Sequence, residues 1–157
     1  MQTFSNMQRN ITYQRDLKHF FLLIIVLVYE AISTIHSYLP PLFGFMFIIF
    51  LNALKDNSKF LVFTTIIYLL FFEANRDFSI FSSILFFVIS IYYIEPTLKK
   101  IIKCNKCLIP ILITWIYLGY TIFINASYFI LSIEEPVFNI LIFYYIIIET
   151  LFAFLVL

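Results

Sequence analysis

The densest chemistry in the sequence is the stretch 99–107, KKIIKCNKC, where four lysines and two cysteines fall within nine residues. Cys104-x-x-Cys107 has the spacing of half a zinc site or of a thiol–disulfide pair. A structural zinc takes four ligands, and the chain offers two cysteines and two histidines, His19 and His36. A metal site would therefore need His19, with Asp16 nearby, or four thiolates pooled by two copies. The electrostatic reading needs less. Lys99, Lys100, Lys103 and Lys106 form a polybasic loop, and such loops hold anionic lipid head groups at about 1 kcal/mol per charge.

The second group of candidates consists of acids inside apolar runs. Glu30 interrupts a long hydrophobic segment, with Ser33, Thr34 and Ser37 following at spacings of three, four and seven. Those spacings put all four on one helical face. A polar stripe of this kind handles a ligand or a proton, or it makes hydrogen bonds between helices. His36 falls on a different face. Glu149 follows FYYIII, and Tyr144 and Tyr145 lie one turn before it, in position to donate to its carboxyl. Asn125 and Asn139 add two more polar groups to otherwise apolar segments. Ionisable groups at membrane depth are rare and face a bundle interior or a cavity.

Catalytic sets are missing. No serine motif surrounds either histidine, there is no His-Glu-x-x-His pair, and two glycines, Gly44 and Gly119, cannot build a phosphate-binding loop. Trp115, Tyr117 and Tyr120 read as packing residues. The expectation is a protein that is not an enzyme and has no metal and no cofactor. A net charge of +1 gives no footprint for nucleic acid.

The elements that must position these residues follow from hydropathy. The chain is 63% hydrophobic and 12% charged, against about 25% charged in ordinary soluble domains. Residues 1–18 are polar and carry Arg9, Arg15 and Lys18, which argues for a cytoplasmic segment rather than a secretory signal. Residues 19–157 form the membrane domain. Its apolar segments are 20–39, 42–54, 60–72, 78–94, 108–131 and 137–157, separated by Pro40-Pro41, by polar turns at 55–59 and 73–77, by Glu95-Pro96 with the lysine-rich loop, and by Glu134-Glu135-Pro136. If all six cross, nine of the ten Lys and Arg residues fall on one side and only Arg76 on the other. That asymmetry orients the chain with both termini in the cytoplasm, and it puts the cysteines in a reducing compartment, against a redox role.

Segments 42–54 and 60–72 are short: thirteen helical residues rise only about 20 Å, where a span takes about 20 residues. They are two short spanning helices extended into their turns, or a re-entrant hairpin that sinks Lys55, Asp56 and Lys59 at high cost. With two glycines in the chain, bulky Ile and Phe must fill the space between helices. The fold class is thus all-α: a six-helix integral membrane protein, multi-pass, in a bacterial inner membrane.

The middle of the chain carries a resemblance. PPLFGFMFIIF followed by IIYLLFFEANRDFSIFSSILFFVISIYY is similar to the MreD family of rod shape-determining proteins, in which a proline-bounded second span precedes an apolar segment ending in an acid, a short turn and a long helix. Glu73, or Asp77, takes the place of that acid. The family carries an aspartate flanked by glycines there; this chain has Glu73 and no glycine nearby. The resemblance implies a fold like that of the substrate-binding subunits of energy-coupling-factor vitamin transporters. It also implies a membrane scaffold for the cell-wall elongation machinery, with an MreC-like membrane partner. The alternative expectation is a vitamin-binding subunit of such a transporter, using Glu30, Asn125 and Glu149 around a cavity.

Overall fold

The computed structural model describes residues 21, 23–36, 38–76, 81–131 and 141–156, and all its regular structure there is helical. The elements are α1 (Leu23–Ile35), α2 (Phe43–Lys55), α3 (Lys59–Asn75), α4 (Ser82–Ile89), a π-helical turn (Ser90–Ile94), α5 (Glu95–Ile101), α6 (Asn105–Leu131) and α7 (Leu141–Val156). The segment 1–18, expected to be cytoplasmic, lies outside the described residues, as do His19, Ser37, Asp77 and Asn139. Among the described residues one stretch, Cys107–Phe129 within α6, is long and apolar enough to cross a membrane; α1, α2 and α7 are shorter apolar helices.

Proline and polar residues set most helix ends. Pro40 and Pro41 separate α1 from α2. At the other end of α2, Asn57 takes a left-handed φ of 51°. The Ser58 N–H reaches the Ala53 carbonyl at 2.9 Å, and the Asn57 N–H reaches the Leu54 carbonyl at 3.4 Å. This is a Schellman ending, with asparagine in the left-handed position that glycine usually takes. It reverses the chain, so α3 packs back along α2.

Two expected breaks are helical instead. The polar turn expected at 73–77 begins later, because α3 runs through Glu73, Ala74 and Asn75. Glu73 can be helical and buried because its charge is taken up by another helix end, described below. The break expected at Glu95-Pro96 is also absent. The helix continues from α4 through the π turn into α5, with Pro96 in the first turn of α5. The π turn ends directly before Glu95-Pro96, and the Thr97 hydroxyl donates to the Tyr93 carbonyl at 2.6 Å. In α6, Pro110 is the sixth residue, inside the helix, where its missing N–H removes the bond that would run to the Lys106 carbonyl.

The core is aromatic and aliphatic, as the scarcity of glycine demands. Phe43 at the start of α2 is its hub. Its ring stacks on Phe72 at 4.8 Å and 17°, and meets Tyr120 at 4.7 Å, Phe87 at 5.1 Å and Tyr117 at 6.2 Å. Phe47, Leu69, Ile113 and Ile116 are also fully buried. The two glycines sit at close approaches. A Cβ on Gly44 would lie 2.9 Å from Ile113 Cγ2 and 3.0 Å from Glu149 Oε2; one on Gly119 would lie 3.0 Å from Phe86 Cζ. Gly44→Ala is therefore expected to cost about 1–3 kcal/mol by overpacking. Gly119→Ala, opposed by ring atoms and aided by up to about 1 kcal/mol of helix propensity, should cost less. Thermal unfolding of the two variants in detergent checks the order.

Candidate functional site

The three acids singled out from sequence are all buried: Glu30, Glu73 and Glu149 are at most 1% exposed. Each comes from a different helix, and each has found a specific partner set.

Glu149, midway along α7, meets the start of α2. The first N–H groups of a helix have no partner within it, and the Glu149 carboxylate supplies one: the Phe45 N–H donates to Oε2 at 2.9 Å. The N-terminal charge of the helix dipole favours an anion at this place. On its other side the Tyr117 hydroxyl donates to Oε1. A hydroxyl does reach Glu149, then, but from α6, where Tyr117 was expected only to pack.

Glu73 does the same for α4. The Phe81 N–H donates to Oε2 at 2.7 Å, the Ser83 N–H to Oε1 at 2.5 Å and the Ser82 hydroxyl to Oε1 at 3.1 Å. Tyr120 hydrogen-bonds both serine hydroxyls, at 3.1 and 3.0 Å. The two capped helices share a further feature. Leu42 before α2 and Phe81 before α4 both have positive φ, 55° and 70°. Bulky side chains avoid that region, so the cap holds each chain in a conformation that its local sequence disfavours.

Glu30 is held differently. Its Oε2 accepts from the Tyr68 hydroxyl at 3.1 Å and from Ser33 at 3.3 Å, and its Oε1 lies 3.5 Å from Arg76 Nε. The Arg76 contact is electrostatic, since neither atom has a hydrogen-bond partner among the described residues. The guanidinium also lies over the Phe72 ring, 4.9 Å from its centroid. Tyr68 faces a second acceptor, the Pro41 carbonyl, and its single proton serves one of the two at a time. Tyr29 donates to the neighbouring Pro40 carbonyl at 2.9 Å.

Glu30 and Glu149 thus grip the same short segment, 40–45, from two sides. Tyr68 links Glu30 to the Pro41 carbonyl, and Glu149 binds the N–H of Phe45. The expected stripe on α1 is only partly assembled. Ser33 is buried beside Glu30, but Thr34 is exposed and donates to the Glu30 backbone carbonyl at 2.9 Å; Ser37 lies outside the described residues. Asn125 has a buried Oδ1 with no hydrogen bond among the described residues. Sequence reasoning missed Tyr68, Arg76, Tyr120, Ser82 and Ser83. Tyr117 does pack in the core, as expected, but its bond to Glu149 was not foreseen.

At one end of the bundle, Lys55 and Lys99 share Glu95, with Lys55 Nζ at 3.3 Å from its Oε1. Burial alone pushes the Glu95 carboxyl up, and the Lys99 and Lys55 ammonium groups outweigh it, leaving Glu95 below its ordinary value. A depressed carboxyl contributes stability above its unfolded pKa and loses it as pH falls through the folded one. Glu95→Gln should therefore cost stability at neutral pH and nothing at low pH. The effect should stay below about 1 kcal/mol, because Lys55 is half exposed; unfolding midpoints at the two pH values check this. Lys100 and Lys103 are exposed, and Lys106 lies in the first turn of α6. An open depression of about 380 Å³ lies near the same end, lined by Ala53, Leu54, Asn57, Lys59, Val62, Phe63 and Ile66. Cys104 and Cys107 are both exposed. Among the described residues no three His, Cys, Asp or Glu side chains group as metal ligands.

Comparison with protein-family models, curated proteins and solved structures finds no match to the chain.

Proposed function

We propose that the chain is a multi-pass protein of a bacterial inner membrane, crossing six times with both termini in the cytoplasm. It acts there as a non-enzymatic scaffold resembling MreD, binding an MreC-like or other membrane partner. The observation that carries this is an inverted distribution of polarity. Three glutamates are sealed inside, each with its own partners, while Ile35, Ile122, Phe129, Ile147 and Leu155 stand outward, the last 86% exposed. Exposed apolar surface on so many helices is costly in water and favourable in lipid. Lys55, Lys99, Lys100 and Lys103 then lie toward the cytoplasmic face, where anionic head groups neutralise them.

The polar groups inside support a scaffold over a reactive site. Glu73 and Glu149 are occupied by helix ends and hydroxyls, which leaves neither of them open as a base or nucleophile. The vitamin-binding alternative draws on one feature, a helix that begins inside the bundle, since such ends bind anionic ligands in transporters. Here the chain's own Glu149 occupies the start of α2, and Ile113 and Glu149 fill the space above Gly44. The test is affinity purification from detergent-solubilised membranes. Co-purification of a membrane-anchored partner of the wall-elongation machinery supports the scaffold. Recovery with a transporter ATPase, or with a small molecule that raises the melting temperature, would replace it by the alternative.

A further inference from the structure

The lysine-rich stretch 99–107 has a geometry that the scaffold role does not use. Cys104 immediately precedes α6, and its sulfur accepts the Cys107 N–H at 3.3 Å. The Leu108 N–H bonds the Cys104 carbonyl at 3.2 Å. Cys104 is therefore the N-cap of α6, with sulfur in the place where serine or aspartate usually puts oxygen. Negative charge on that sulfur sits at the positive end of a 27-residue helix. Cys107 lies one turn on, three residues away. The Cys104 sulfur already lies against the Cys107 backbone nitrogen, at 3.3 Å, so torsional changes in the two side chains suffice to bring the sulfurs together. Both side chains are exposed, and so are Lys99, Lys100 and Lys103.

We propose that Cys104 and Cys107 form a thiol–disulfide exchange site for anionic low-molecular-weight disulfides. Cys104 is the attacking sulfur and Cys107 the resolving one. The Cys104 thiolate attacks one sulfur of the disulfide, forming a mixed disulfide and expelling one thiolate. Cys107 loses its proton to water and attacks the Cys104 sulfur. This closes the Cys104–Cys107 bond and expels the second thiolate. Two electrons pass from the dithiol to the disulfide, and the two thiolates released take up the protons. The lysines select for negatively charged partners, because they raise the local concentration of anions at low salt. A dithiol that oxidises transiently is compatible with a reducing compartment, and the chemistry does not depend on which way the protein faces.

The experiment uses the purified full chain in detergent, with oxidised glutathione as probe and intact mass as readout. Wild type is expected to lose two hydrogens and retain no adduct. Cys107→Ser is expected to stop at one glutathione on Cys104, and Cys104→Ser to react about 10-fold more slowly, the effect of an activated over an ordinary thiol. Serine is itself a good N-cap, so α6 keeps its start in Cys104→Ser. Added salt should slow the reaction with glutathione disulfide and leave that with an uncharged hydroxyethyl disulfide unchanged. A second measurement avoids variants: limited alkylation of wild type with iodoacetamide should mark Cys104 before Cys107. Equal rates for the two single variants, equal alkylation, or adducts that persist on wild type would overturn the assignment.

Discussion

Replacing Glu149 with alanine is expected to cost about 3–5 kcal/mol, because it strands two buried donors at once. The Phe45 N–H and the Tyr117 hydroxyl would both lose their acceptor in the middle of the bundle. Neither can turn to water there, and α2 loses the acceptor that α7 offers its first turn. Glu149→Gln keeps the shape and one carbonyl oxygen, but it turns an amide donor toward a donor; about half the loss should remain. Tyr117→Phe in the Glu149→Gln background should then cost little more, because the two residues act as one unit. Unfolding midpoints in detergent, with the amount of protein recovered from membranes, check the series. A Glu149→Ala variant as stable as wild type would mean that the capping contact does not hold α2.

Arg76→Ala should be nearly as damaging, for a different reason. Glu30 is fully buried, and Arg76 is the cation beside its Oε1. Removing one partner of a buried pair leaves an uncompensated charge, at a cost of about 3–5 kcal/mol. Arg76 is partly exposed, and Glu30 can take up a proton, so the lower end of that range is expected. The distinguishing outcome is a rescue. Arg76→Met combined with Glu30→Gln removes both charges while keeping side-chain volume, and continuum arguments put such replacements near neutral. The double variant should be more stable than Arg76→Ala alone. If it is equally damaged, the Arg76 contact with the Phe72 ring, and not its charge, is what matters.

The burial of Glu30 and Glu149 was legible because a charge in an apolar run is anomalous in itself. Their partners were not. The chain has 11 tyrosines and 21 phenylalanines, and nothing in the spacing tells which hydroxyl meets an acid more than thirty residues away. Tyr117 therefore read as packing, and Tyr68 was not singled out. Arg76 read as the lone outer charge, since its distance from Glu30 depends on how α3 lies against α1. The role of Glu73 was hidden by the turn that precedes α4. A phenylalanine in the left-handed region gives no glycine signal, so the start of α4, and the cap it needs, could not be foreseen. The continuous path through Glu95-Pro96 was missed because proline predicts a break and a π turn leaves no mark in sequence. What the pattern did carry was the helical class and the gathering of Lys55 and Lys99 at one end, which structure and charge asymmetry give alike.

The common theme is that two helices, α2 and α4, begin inside the bundle, and carboxylates from neighbouring helices close their ends. In water such ends could be solvated cheaply. In lipid each exposed N–H would cost several kcal/mol, and the proposed membrane setting accounts for the placement of the acids in that way. That argument stands on the membrane orientation, and the native cysteines allow it to be tested without any substitution. A membrane-impermeant maleimide added to sealed inside-out vesicles is predicted to label Cys104 and Cys107, while intact spheroplasts leave them unlabelled until detergent is added. Labelling from the outside of intact spheroplasts, or recovery of the chain in the soluble fraction, would contradict the account.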